Sequence, residues 1–150
     1  MREILFRGKT DKGEWVQGVP FFEEDRCYII EDLFICGEYD CTGAVNSFVL
    51  PETVGQYTGL TDKNGKKIFE GDIIKIKRHL ARPSGTTVFY EIYPVEYKTA
   101  RWFDGDGEEI VYDSFVLDDC ASLREWVESY ECEIIGNIHD NPELLKGGEG

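Results

Sequence analysis

Short stretches in which apolar and polar residues alternate make up most of the chain, and turn-forming residues separate them. After Asn64-Gly65, Ile74 and Ile76 alternate with lysines. Successive side chains of a strand point to opposite faces, so we expect the isoleucines inside and the lysines in water. Asn-Gly is typical of a type I′ turn, whose two central residues both have positive φ. The pattern predicts a β-hairpin at 64–65 and a half-buried strand after it.

One segment near the carboxyl end changes from this two-residue period to a helical one. Its apolar residues have the spacing of a single helical face, at Leu123, Trp126, Val127 and Tyr130. Asp118 or Asp119 is in place to cap the first turn. The alternating stretches elsewhere predict seven to nine strands. Together with this helix they indicate an α+β fold that is predominantly β. We expect a bent antiparallel sheet or a small barrel, with the main helix near 119–130.

The length of the chain is that of one domain, and its net charge of −14 is strongly acidic. We expect a single β-rich domain over residues 1–146 and a flexible tail over 147–150. Such a charge repels polyanions and argues against general nucleic-acid binding. The longest apolar run is four residues, far below the ~20 that span a bilayer, and the amino terminus lacks a signal-peptide core. These features predict a cytoplasmic protein.

The cations are gathered in one segment, because residues 60–82 hold seven Lys/Arg and only three Asp/Glu. The basic residues of this segment are Lys63, Lys66, Lys67, Lys75, Lys77, Arg78 and Arg82. One interpretation is an exposed or edge strand, on which lysines discourage pairing with another strand. The other is a basic patch that binds nucleic acid, with Tyr57, Phe69 or Phe89 stacking on bases. The first interpretation is favoured.

Residues that could carry chemistry are few. A carboxylate group at Asp104, Asp106, Glu108 and Glu109 could hold a metal, although its glycines also predict a plain hairpin turn. His79 and His139 are expected at the surface. The five cysteines, an odd number without a Cys-x-x-Cys pair, are expected as free thiols. Phosphate-loop and nucleophile-elbow motifs are missing from the sequence, so we expect neither a cofactor nor catalysis.

Three segments resemble the YopX-like family of phage and prophage proteins. They are "REILFRG", "VGQYTGLTDKNGKKIFEGDII" (54–74) and "YECEIIGNIHDNPELL" (130–145), which follow one another in the family's order. The resemblance implies ten signature positions: Gly59, Asn64, Gly65, Glu70, Gly71, Asp72, Gly136, Asn137, Asn141 and Pro142. Each has a structural explanation: Asn64-Gly65 makes a turn, Gly71 permits a bend, and Asn141-Pro142 forms the exit turn. The resemblance also implies a β-rich fold, self-association and a phage or prophage context in a bacterial host, and it brings neither catalytic residues nor a cofactor.

The sequence therefore predicts a non-enzymatic phage- or prophage-derived accessory protein that acts through protein–protein interaction or self-assembly. A homo-oligomer is expected because 20 aromatic residues and strands apolar on both faces exceed what one small domain buries. A host or phage protein is a further candidate partner, and no membrane is expected. One alternative is a nucleic-acid-associated module that uses residues 63–82. A metal-dependent hydrolase acting through the 104–109 carboxylates is the least favoured.

Overall fold

A computed structural model describes residues 3–36, 41–118 and 121–146, most of which lie in antiparallel strands. The described strands form open sheets, so the open sheet, and not the small barrel, is the architecture found. The predicted α+β fold, predominantly β, is confirmed. By its internal contacts the chain divides into two units, Met1–Tyr57 and Thr58–Gly150. The single domain over 1–146 stays a prediction, and the tail predicted at 147–150 lies outside the described residues.

The first unit is a meander of four consecutive strands. These are β1 (Phe6–Lys9), β2 (Trp15–Glu23), β3 (Arg26–Cys36) and β4 (Cys41–Val49). Each pairs antiparallel with the next, and β3 bulges between Ile30 and Asp32. A 3₁₀ turn (Pro51–Thr53) leads to β5 (Gly55–Thr61), whose first residues pair with β1.

Both faces of this first sheet carry apolar side chains. Cys27, Ile29 and Val49 are fully buried on one face. On the other face, the Tyr28 ring lies 5.9 Å from the Phe21 ring. The same tyrosine lies 5.9 Å from the ring of Phe48 on β4. The expectation of strands that are apolar on both faces therefore holds for β3.

The second unit begins within β5, whose later residues pair with β6 (Lys67–Phe69). Its other elements are β7 (Asp72–Arg82), β8 (Gly85–Pro94), β9 (Glu96–Phe103), β10 (Glu109–Val116), α1 (Leu123–Ser129), β11 (Glu131–Asn137) and α2 (Glu143–Lys146). The order β11-β7-β8 makes one sheet, and β9 pairs with β10 in a second. Pro94 ends the edge strand β8, a position that needs no backbone donor.

The alternation in β7 has the predicted consequence. Ile74 and Ile76 are fully buried in a core that α1 covers with Leu123 and Trp126. Between the isoleucines, Lys75 keeps 38% of its side chain exposed. The edge part of the interpretation is wrong for Lys75 and Lys77, however, because there β7 lies between β11 and β8. The alternation of residues indicates which face of a strand is buried. It does not indicate which strands pair with it, because those come from distant parts of the sequence.

The helix is shorter than predicted and has a different cap. The Ser122 side chain accepts a hydrogen bond from the Glu125 amide, and the Glu125 side chain accepts one from the Ser122 amide. This capping box starts α1 at Leu123, so the cap predicted at Asp118 or Asp119 is wrong. Residue 119 itself lies outside the described residues. Among the described residues, no helix has the length and apolar character needed to cross a bilayer.

The hairpin at 64–65 is confirmed, but its turn type is not I′. The Gly65 amide donates to the Asp62 carbonyl (3.0 Å), and Gly65 has φ of +80°. Asn64 does not share this conformation, because Glu24 is the only non-glycine with positive φ among the described residues. The loop is therefore a turn over 62–65 that ends in a left-handed glycine, the three-residue type of hairpin.

Candidate functional site

The basic segment does not form an unopposed positive surface. Four of its cations pair with glutamates of β11 or β8: Lys63 and Lys75 with Glu133 (3.6 Å each), Lys77 with Glu131 (3.5 Å) and Arg78 with Glu91 (3.0 Å). The strand register explains two of these pairs, since Glu133 faces Lys75 and Glu131 faces Lys77. Each exposed pair adds little stability, but together they cancel much of the local charge.

The aromatic residues predicted to stack on bases are not available for it. Tyr57 is only 7% exposed and Phe69 only 2% exposed, so that part of the nucleic-acid hypothesis is wrong. Phe89 is half-buried and lies against Arg78. Lys66 and Arg82 are exposed, in the β5–β6 turn and at the end of β7. The wider nucleic-acid hypothesis for residues 63–82 stays a prediction.

The Arg78 side chain packs against other residues of the chain and is not part of an unpaired basic surface. Its guanidinium lies 5.6 Å from the ring centres of Phe89 and Trp126 and 5.2 Å from that of Tyr130. It donates a hydrogen bond to the Glu91 carboxylate (3.0 Å), which raises the pKa of Arg78 above its ordinary value. The group thereby fastens the end of α1 to β7 and β8.

Beyond Arg78, the β7–β8 hairpin is exposed on both of its faces. Pairing with β11 ends at Lys77, and every residue from 79 to 88 is exposed. We call residues 79–88 the arm. Four residue pairs hold it together: His79 with Val88, Leu80 with Thr87, Ala81 with Thr86 and Arg82 with Gly85. Leu80 and Val88 are 43% and 44% exposed. An isolated two-stranded hairpin is marginally stable in water, so the arm is a candidate contact surface.

The arm also has an unusual charge pattern. Residues 73–90 contain no Asp or Glu, the longest such interval in a chain with 30 acidic residues. Gly85–Tyr90 carries no charged residue at all, and no described strand pairs with the outer edge of β8. Natural edge strands of this length are usually protected by lysines, prolines or bulges. Sequence reasoning missed the arm, although the acid-free interval was a signal for it.

A groove of about 450 Å³ adjoins the base of the arm. Its walls are Thr61, Asp62, Lys63, Lys77, His79, Val127, Glu128, Ser129, Tyr130, Glu131 and Cys132. Burial raises the pKa of the Cys132 thiol to about 11, and the Asp62 carboxylate adds to the shift. The thiol is therefore protonated at neutral pH and is not an activated nucleophile. His79 is exposed, as expected, and His139 is half-buried.

Cysteine burial follows the sequence expectation where the side chains are described. Cys27 and Cys132 are buried free thiols. Burial also raises the pKa of Cys27. The side chains of Cys36, Cys41 and Cys120 lie outside the described residues.

The acidic group at 104–109 forms the β9–β10 hairpin turn, as its glycines predict. One carboxylate oxygen of Asp104 accepts hydrogen bonds from the amides of Asp106 and Glu108 (2.9 Å each). Glu109 pairs with Arg101 (3.2 Å). Across the described ranges 3–36, 41–118 and 121–146, no group of three or more His, Cys, Asp or Glu residues is placed to hold a metal ion. The hydrolase hypothesis stays an untested prediction.

Several signature positions meet where β7 begins. Gly71 has φ of +90°, and its amide donates to the Val95 carbonyl (2.9 Å). Its carbonyl accepts from the Ile138 amide (2.8 Å). The Asp72 carboxylate, 2% exposed, accepts from the Phe69 amide (2.7 Å). These bonds join the chain entering β7 to the segments around Val95 and Ile138, which is a structural role.

The signature positions near the end of β11 form a second turn. Asn137 faces Asp72 across the strand pair, and its side-chain oxygen accepts from the amides of His139 (3.0 Å) and Asp140 (2.9 Å). The Asn141 side chain accepts from the Asn137 amide (3.3 Å). Of the six remaining signature residues, Asn64, Gly65 and the half-buried Glu70 lie in turns, and Pro142 precedes α2. Gly59, with φ of +85°, lies within β5, and Gly136 lies within β11.

Comparison with known proteins connects this architecture to one family. A family model described as "YopX protein" matches residues 5–146. The crystal structure of protein EF1440 from Enterococcus faecalis is similar, with 26% sequence identity and a TM-score of 0.56. The match covers 97% of this chain and 99% of that one. No curated protein matches this chain.

Proposed function

The chain belongs to the YopX protein family, and from this premise we propose that it acts by protein–protein contact and not by catalysis. The family is associated with phages. We accordingly place the protein in the cytoplasm of a bacterial host, as an accessory protein derived from a phage or prophage. The contact that best fits the geometry is self-assembly through the arm.

The arm is the single observation that carries this proposal. It extends past the last β11 pair, exposes both faces and contains no acidic residue. Exposed apolar surface on a strand edge is the usual sign of pairing with another chain. The chain as a whole carries −14, whereas the arm has no acidic residue, so contact through the arm keeps two copies from bringing acidic side chains face to face.

Light scattering at several protein concentrations tests self-assembly. We expect a mass that rises above the 17.2 kDa of one chain as the concentration increases. Val88→Lys, which puts a charge in the middle of β8, is expected to return the mass toward that of one chain. Val111→Lys on β10 is the matched control, because Val111 is a strand valine that is 51% exposed and lies outside the arm.

Circular dichroism of both variants shows whether they keep the fold. A wild-type mass of one chain at every concentration would refute self-assembly. Equal loss of assembly in Val88→Lys and Val111→Lys would locate the contact elsewhere. Assembly that survives only in Val111→Lys supports the arm.

A further inference from the structure

We infer that two copies pair through the outer edges of their β8 strands, antiparallel, about a two-fold axis at Val88. This inference rests on the proposed self-assembly and specifies its surface and register. The result would be one continuous sheet of six strands, in the order β11-β7-β8-β8-β7-β11. Pairing of this kind satisfies the edge backbone groups of both copies at once.

The free edge is long enough for such pairing. β8 spans Gly85–Pro94, and no described strand pairs with its outer edge. Helix α2 also contacts β8, and the proposed pairing uses only the seven residues Gly85–Glu91. Thr86, Thr87, Val88 and Tyr90 are all exposed. These β-branched and aromatic side chains favour cross-strand contacts. An antiparallel two-fold pair of identical strands needs a central residue that faces itself, which leaves only a few registers.

Charge excludes one of these registers. If Glu91 were at the centre, it would face its own copy, which is unfavourable. With Val88 at the centre, Glu91 faces Gly85, which has no side chain. Tyr90 then faces Thr86, and Phe89 faces Thr87. All seven residues from Gly85 to Glu91 take part, and no charge faces a like charge.

This register also creates an opposite-charge contact. Gly85 pairs with Arg82 in its own hairpin, so both residues present the same face. Glu91 of the second copy then lies two strands from Arg82, about 9–10 Å between Cα atoms. An arginine and a glutamate can bridge that distance across a residue without a side chain. In one chain, the half-buried Glu91 carboxylate accepts from Arg78 and also has a hydrogen bond with the Tyr93 side chain. A carboxylate has about four acceptor positions, so Glu91 keeps acceptor capacity for Arg82.

Two charge variants of Val88 test the register. Val88→Lys and Val88→Glu, each alone, place like charges face to face and are expected to weaken the dimer at least tenfold. An equimolar mixture of the two is expected to recover a dimer, because lysine then faces glutamate at the two-fold axis. Analytical ultracentrifugation of each variant and of the mixture provides the measurement.

A second pair of variants tests the Arg82–Glu91 contact. Arg82→Glu is expected to weaken wild-type association several-fold, whereas Lys66→Glu, an exposed cation outside the arm, has the same charge change and little effect. If the wild type is a monomer, the proposed self-assembly itself fails. If the wild type assembles but the mixed Val88 variants do not, or if Arg82→Glu and Lys66→Glu weaken assembly equally, only the inferred register is overturned.

Discussion

Gly136 lies near the end of β11, close to the turn that follows this strand. A Cβ atom at this position would lie 2.5 Å from the Asn141 side-chain oxygen and 2.9 Å from its Cγ atom. Gly136→Ala therefore displaces Asn141 and disturbs the bond that its side chain accepts from the Asn137 amide. We expect a loss of about 1–3 kcal/mol in the free energy of unfolding, which is the usual range for overpacking. Urea denaturation followed by circular dichroism measures it.

Gly105→Ala is the matched control for this substitution. Gly105 lies in the β9–β10 turn, and a Cβ atom there would meet no other atom within 4 Å. We expect a change within about 0.5 kcal/mol, as for most surface substitutions. If the two variants lost equal stability, steric conflict with Asn141 would not be the reason that glycine occupies position 136.

At the scale of elements, the β5–β6 turn is held by more side-chain hydrogen bonds than the β9–β10 turn. One Asp62 carboxylate oxygen accepts from the amides of Asn64 and Lys66 (2.9 Å each). The other accepts from the Ile134 amide of β11 (3.1 Å). The Asp104 turn has only the two local bonds and is exposed. Asp62 thus joins the β5–β6 hairpin to β11, whereas Asp104 closes only its own loop.

Asp62→Ala is therefore expected to cost about 2–4 kcal/mol, because it leaves the half-buried Ile134 amide without its acceptor. Asp104→Ala should cost about 0.5–1.5 kcal/mol, since water can replace both of its bonds. Urea denaturation of the two variants gives the comparison. Equal losses would show that the link to Ile134 contributes nothing beyond the turn itself.

Sequence reasoning predicted some features of the fold correctly and missed others. The burial of Ile74 and Ile76 follows from neighbouring residues alone, and it was predicted correctly. The conformation of Asn64 was predicted wrongly. The Asp62 carboxylate accepts a hydrogen bond from the Asn64 amide, and this bond determines the conformation of the loop. The capping box of Ser122 is a local sequence signal that was missed. The arm could not be placed from alternation, because it exists only where β11 stops pairing with β7.

For the candidate site, composition indicated the basic segment, but the register of the sheet decided its charge. The glutamates that pair with Lys75 and Lys77 are more than 50 residues away in the sequence. Their positions follow from the pairing of β11 with β7, which no local pattern specifies. The acid-free interval 73–90 was visible in the sequence, whereas the exposure of the arm on both faces is a property of the folded second unit.

At the scale of the whole molecule, net charge predicts how salt affects assembly. Each chain carries −14, so two copies repel each other over the screening length, about 30 Å at 0.01 M salt and about 8 Å at 0.15 M. Association through an uncharged edge should therefore strengthen several-fold as NaCl rises from 10 to 150 mM. The proposed Arg82–Glu91 contacts weaken with salt, but ion pairs near the surface contribute about 1 kcal/mol or less each. Sedimentation equilibrium at both salt concentrations measures the effect, with Val88→Lys as the variant that should stay monomeric in each.

Nucleic-acid binding through residues 63–82 has the opposite salt dependence, because phosphate contacts release counterions. A dimer that weakened as salt increased would assign the contact to ion pairs and contradict pairing through β8.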